Sequence, residues 1–276
     1  MTYTLHRRSL ELQGQTRKYL VVEPESLPSR PDVLFFFHGS LQSGNVLRRF
    51  TNNTFDALAE RTGTIVVYPN GVDHHFNDCR GTLLTKTREL GIDDVAFTRE
   101  MLTRLKDEYG VGRTFACGYS NGGQMVLRLL IDAPGLLNGA CIFASTFGAG
   151  SNHAPSNPDS AYEPTPVLLM HGTADPLAPY EGGVAGVDAS QTRGEVLSAP
   201  ETAARLAKWN GAEGPVEERV YADIVKQCWT GDFSVELWTM EGIGHVIPSG
   251  NELDARLGKN TTSFQAADVV ERFFGL

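Results

Sequence analysis

Val33-Leu34-Phe35-Phe36-Phe37 offers no polar side chain to water, and few folds can bury such a run. A strand with one wet face alternates polar and apolar residues. An unbroken apolar run marks a strand covered on both faces, as in the middle of a parallel sheet. Further short runs recur at 64–68, 114–117, 140–144, 167–170 and 234–240. Helical patterns fall between them at 45–60, from Asp93 or Asp94 to about Tyr109, at 124–131, at 200–209 and at 263–274. Asp93 or Asp94 supplies an N-cap, Gly110 a stop, and Pro134 ends the third helix. Strands alternating with helices predict an α/β chain whose mostly parallel sheet carries helices on both faces. Ahead of this pattern, residues 4–12 and 16–22 flank Gln13-Gly14-Gln15 and read as a β-hairpin. No repeat or composition break divides the 276 residues, so one domain over 1–276 is expected.

The 33 acidic residues outnumber the 24 basic ones, for a net charge of −9. Such a surface repels phosphate backbones and anionic bilayers, so neither nucleic acid nor membrane is an expected partner. No apolar run approaches the length of a membrane span. The first twenty residues carry Arg7, Arg8, Arg17 and Lys18 without an apolar stretch, which argues against a signal peptide. The expected location is cytoplasmic, or secreted with a leader removed. Cys117 and Cys141 lie in apolar runs and read as packing residues. Cys79 and Cys228 lie in polar stretches and are the pair to expect if a disulfide forms. His74-His75 lacks a third ligand at useful spacing, so no metal and no cofactor is expected.

Gly118-Tyr119-Ser120-Asn121-Gly122 fits G-x-S-x-G between the 114–117 run and the 124–131 helix. A serine on a tight strand-to-helix turn is pushed clear of the sheet, and the helix N-terminus faces the charge that develops during attack. Ser120 is therefore the candidate nucleophile. In the fold that uses this turn, the acid and then the histidine follow the serine along the chain. That order excludes His6, His38, His74 and His75, and leaves His153, His171 and His245. Asp175 lies in the loop after the 167–170 strand, at the sheet edge expected for Ser120. Asp188, Asp223 and Asp232 have no such context. Gly242-Ile243-Gly244-His245 follows the last strand, and its glycines let the ring lean over that edge. His153 and His171 precede Asp175, so His245 is the candidate base and Asp175 its orienting acid.

The Phe-rich strand runs into His38-Gly39-Ser40-Leu41, the loop from which this fold draws one oxyanion N–H. The candidates are Asn121 N–H together with that of Ser40 or Leu41. Phe76, Tyr119 and Ile247 flank the expected site and are candidate substrate contacts. Two irregular stretches, 70–91 and 148–166, follow strand ends and read as loops around it.

Further segments keep company with these: Tyr68-Pro69-Asn70-Gly71, Phe76-Asn77-Asp78-Cys79-Arg80, Asp93-Asp94-Val95-Ala96-Phe97, His171-Gly172-Thr173-Ala174-Asp175 and Pro179-Tyr180-Glu181-Gly182-Gly183. Together, from about Thr16 onward, they resemble the polyhydroxybutyrate depolymerase-like esterases, which include feruloyl and acetylxylan esterases. The resemblance implies an α/β-hydrolase fold with Ser120, Asp175 and His245 as triad. It implies hydrolysis of short hydroxyacyl, aryl or acetyl esters through an acyl-enzyme. Many relatives carry Trp where this chain has Phe76 and Ile247, which implies a pocket of different shape. Secreted polymer-degrading relatives often add a polymer-binding domain, for which this chain has no room. A small or oligomeric ester is therefore the expected partner. A serine peptidase of the prolyl oligopeptidase type and a non-catalytic binding protein are the rival readings of the same fold.

Overall fold

The computed structural model describes residues 2–187 and 192–276. In chain order it contains β1 (Tyr3–Leu12), β2 (Gln15–Pro24), β3 (Val33–Phe37), α1 (Gly44–Phe50), α2 (Thr54–Thr62), β4 (Ile65–Pro69) and α3 (Lys86–Glu89). Then follow α4 (Asp94–Tyr109), β5 (Thr114–Tyr119), α5 (Asn121–Asp132), β6 (Gly139–Phe143), β7 (Val167–Gly172), β8 (Gly183–Gly186) and β9 (Thr192–Val196). The last elements are α6 (Ala199–Asn210), β10 (Glu213–Tyr221), β11 (Ile224–Thr230), β12 (Val235–Met240) and α7 (Ala266–Phe274). Ten strands form one sheet in the order β1-β2-β4-β3-β5-β6-β7-β12-β11-β10. The six from β4 to β12 are mutually parallel. β1 and β2 close one edge, and β10 and β11 the other, as antiparallel pairs.

The apolar run of β3 shows why the sheet needs helices on both sides. Phe35 and Phe37 join a core with residues of α4, α5 and α6, among them Phe97, Met125 and Leu206. Leu34 and Phe36 point the other way, into a core with Phe55 of α2 and Val270 of α7. Successive side chains of a strand alternate faces, so five buried residues in a row require two cores. Phe36 stands between Phe55 and Phe143, with ring centroids 4.5 Å and 5.9 Å away.

The hairpin at the N-terminus forms as expected. Asp93 is the N-cap of α4, accepting a hydrogen bond from Ala96 N–H at 2.8 Å. The helix expected over 45–60 is instead two helices. Asn52 and Asn53 between them have φ of 54° and 56°, a left-handed conformation that asparagine tolerates and a continuous helix excludes. The β10–β11 pair gives no apolar pattern because β10 lies almost wholly in solvent. Cys79 is buried with its thiol 3.2 Å from Gln124 Oε1, while Cys228 sits on β11; both are free, so the pair named for a possible disulfide is not bonded. No helix among the described residues is long and apolar enough to cross a membrane.

Candidate active site

β5 hands the chain to α5 through Ser120, whose φ of 54° and ψ of −117° lie where few side chains go. Such backbone costs about 1–3 kcal/mol and persists only where its surroundings hold it. Ser120 N–H is tied to Phe143 O at 3.0 Å, and Ser120 O accepts from Gln124 N–H at 3.0 Å. The flanking glycines leave room for the turn. A Cβ on Gly118 would stand 2.2 Å from Gly122 O, and one on Gly122 would stand 2.1 Å from Phe37 O.

Asp175 follows β7. Its Oδ1 accepts from Leu177 and Ala178 N–H at 2.8 Å each, and its Oδ2 accepts from His245 Nδ1 at 2.7 Å. Burial would raise its pKa. The charges and hydrogen bonds of His245 and His171 outweigh burial and hold the carboxyl well below its ordinary range. His171 lies 3.4 Å from the same oxygen, with its Nε2 bonded to Ala178 O at 2.7 Å, so it supports the carboxylate from behind. His245 follows β12. Its own N–H bonds to Leu257 O at 2.6 Å, and its carbonyl accepts from the Tyr119 hydroxyl at 2.8 Å. A Cβ on Gly244 would stand 2.0 Å from Leu257 O, which accounts for glycine before the histidine. Ser120 and His245 line one cavity of about 20 Å³. Asp223 bonds to Thr261 and Ser263 away from this cavity, and Asp188 lies outside the described residues.

Asn121 begins α5, so its N–H has no intrahelical acceptor. Its side chain grips the neighbouring loop: Oδ1 accepts from Phe76 N–H at 2.8 Å, and Nδ2 donates to Phe76 O and to Asp78 Oδ2. Leu41 N–H donates to His74 O at 3.0 Å, whereas Ser40 N–H meets no acceptor among the described residues. Of the two candidate loop donors, Leu41 N–H is thus occupied and Ser40 N–H is left without an acceptor among the described residues. His38 fixes this loop from inside. Its Nδ1 donates to Gly39 O at 2.7 Å, and its Nε2 accepts from Gly71 N–H at 3.0 Å. Burial, with the neighbouring His74 and His75, pushes its pKa down to about 4, against the Gly39 bond.

The three expected substrate contacts need correcting. Phe76 and Ile247 are 0% exposed and Tyr119 is 3% exposed, and none of them lines the cavity. Phe76 packs on His38 and Phe37, and Tyr119 lies between Phe50 and His245. They form the frame behind the site. The cavity is lined instead by residues not expected to touch substrate, notably Arg80, Gln124, Thr146 and Arg193. Arg80 was visible within Phe76-Asn77-Asp78-Cys79-Arg80. Arg193 lies in a polar stretch with no motif around it. The 70–91 segment is pinned through Asn121 and through Asn77 N–H to Asp94 Oδ2 at 2.7 Å, and is braced within itself by Arg88 donating to Asp78 O at 3.1 Å, so it walls the site.

Residues 18–195, well over half of the chain, match the phospholipase/carboxylesterase family. The protein NocK of Nocardia uniformis subsp. tsuyamanensis, whose name assigns it provisionally to the esterases, is 27% identical over 98% of this chain and 82% of its own length. Feruloyl esterase C of Emericella nidulans is 28% identical over 61% of this chain and 58% of its own. An acetyl xylan esterase from Aspergillus awamori superposes with a TM-score of 0.69 across 99% of both chains at 17% identity, which shows a shared fold. The sheet, the serine turn after β5 and the extent of the family match lead to one conclusion: the chain belongs to the phospholipase/carboxylesterase family of α/β-hydrolases.

Proposed function

We propose that this carboxylic-ester hydrolase works through Ser120 as nucleophile, His245 as base and Asp175 as the acid that orients it. The observation that carries the reading is the 2.7 Å bond from His245 Nδ1 to a buried, ionised Asp175 beside the cavity that Ser120 lines. His245 takes the Ser120 proton as Oγ attacks the ester carbonyl. The tetrahedral oxyanion is met by Asn121 N–H and Ser40 N–H. His245 then protonates the leaving alcohol, and water repeats the sequence on the acyl-enzyme. The substrates are short hydroxyacyl, aryl or acetyl esters, either small molecules or soluble oligomers. Acetylxylan and feruloyl esterases among the relatives support this range. The peptidase and binding-protein readings have no observation in their favour.

The test is initial rates on nitrophenyl esters, methyl ferulate, an acetylated sugar, 3-hydroxybutyrate oligomers and an aminoacyl anilide. Ser120→Ala should lose roughly 10 000-fold or more in kcat. Asp175→Asn should lose roughly 1 000- to 10 000-fold by leaving the imidazole in the wrong tautomer. Full turnover in Ser120→Ala would overturn the assignment, and faster cleavage of the anilide than of any ester would move it to the peptidases.

A further inference from the structure

Arg193 lies on β9 and lines the same small cavity as Ser120 and His245. It is half-buried, and no carboxylate among the described residues lies within ion-pair distance of it. Among the described residues, its guanidinium donates from Nη1 to Ser40 Oγ at 3.1 Å. Burial, and then the like charge of Arg80, lower its pKa, partly offset by Asp78 and Tyr119. Taking a cation out of water without a counter-ion is costly, so an arginine held this way suits an anion that arrives with the ligand.

The neighbouring charges do not supply that anion. Asp78 is already bound by Arg80 through a two-pronged contact, by Asn121 at 2.6 Å and by Arg88 at 3.9 Å. Asp175 is engaged with His245. The cavity wall therefore has more positive than negative charge, in a chain whose net charge is −9. Arg193 is also held in place. Asn152 Nδ2 donates to Arg193 O at 3.1 Å and to Glu195 O at 2.8 Å, while Asn152 Oδ1 accepts from Thr82 N–H at 3.1 Å. At Gly194, with φ of 82°, a Cβ would stand 2.1 Å from Thr82 Oγ1, so β9 presses directly on that loop.

Arg193 also lines a second, open groove of about 530 Å³. Its apolar surface comes from Leu41 and Leu84, which are 76% and 87% exposed. Asp73 and Lys86 contribute one charge of each sign, so Arg193 sets the net sign of the groove. The cavity at Ser120 has room for a small group only, and the groove takes a larger one.

We propose that the substrate is an ester of a small acyl group with an alcohol that carries a carboxylate or a similar anion, with the acyl group at Ser120, the anion on Arg193 and the rest of the alcohol along Leu41 and Leu84. The inference rests on the ester-hydrolase reading of the same site. Arg193 is then a specificity residue: it ion-pairs with the substrate and leaves the bond-making to Ser120 and His245.

The experiment compares kcat/KM for 3-acetoxybenzoate and its uncharged methyl ester, in wild type, Arg193→Gln, Arg193→Lys and Arg193→Glu. Wild type should prefer the anionic ester by roughly tenfold or more, and added salt should reduce that preference. Arg193→Gln should abolish the preference, Arg193→Lys should keep part of it, and Arg193→Glu should invert it. Two results overturn the proposal: no preference in wild type, or an equal loss for both esters in Arg193→Gln. The second would make Arg193 a positioning residue for Ser40. A preference seen only with a charged acyl group, as in the 4-nitrophenyl monoester of succinic acid, would overturn the orientation. Wild type that cleaves only the methyl ester keeps the esterase reading and overturns this one; wild type that cleaves neither overturns both.

Discussion

His38 does for the oxyanion loop what Asp175 does for His245, in that it sets a direction. A neutral ring that donates to Gly39 O and accepts from Gly71 N–H ties the end of β3 to the loop after β4. Protonation would place a second N–H where Gly71 N–H already points. The folded pKa is about 4 against an ordinary 6.5, so the unfolded chain binds the extra proton first as pH falls. This contribution to stability is complete above pH 6.5, is lost on the way down, and is gone below about pH 4. It amounts to about 3 kcal/mol. Denaturant titrations of wild type and His38→Asn at pH 7 and pH 4 should show the gap between the two proteins closing by about that much. A gap that is the same at both pH values would mean that His38 titrates normally. The proposed triad was legible in the sequence because its members obey a chain order and each follows a strand. His38 was seen as the first residue of the His38-Gly39-Ser40-Leu41 loop and as a histidine excluded by that order, but not as the ring that fixes the loop, and Arg193 could not be seen at all. An unpaired charge is a property of three-dimensional surroundings, and no spacing records it.

The turn between β5 and α5 has no slack. Gly122 meets Phe37 O and His38 O, which belong to β3 and to the loop it supports. A methyl group there must push the helix off the sheet or move a backbone that is paired with β5. Gly122→Ala should therefore cost about 3 kcal/mol or more in stability, measured by urea denaturation. A loss below about 1 kcal/mol would show that α5 can slide on β3 without penalty. The central strands were readable for the same reason that they are intolerant: burial on both faces leaves an unbroken apolar run, as in β3. β10 was unreadable because it makes the opposite bargain with solvent. Glu213, Glu217 and Glu218 keep it wet, and a strand that buries almost nothing has no period to display. The 45–60 stretch misled because its helical pattern spans both helices, and only the left-handed Asn52-Asn53 pair interrupts it.

Across the whole molecule, the edges and the centre of the sheet differ in how far apart their partners lie along the chain. β1 meets β2 across a two-residue turn, and β10 meets β11 almost as directly. The parallel centre requires crossovers, and Asp175 and His245, 70 residues apart, meet only when β7 and β12 are in register. Local hairpins close in microseconds, whereas distant pairings bear the entropy of long loops and come later. In refolding from urea, the far-ultraviolet dichroism of the strands and helices should therefore recover before ester turnover does. Simultaneous recovery would show that the centre and the edges assemble in one step. Because Ser120, Asp175 and His245 each hang from a different central strand, the proposed reaction requires all three strands in place. The sheet that brings the three together thus makes turnover a clock for the last stage of folding.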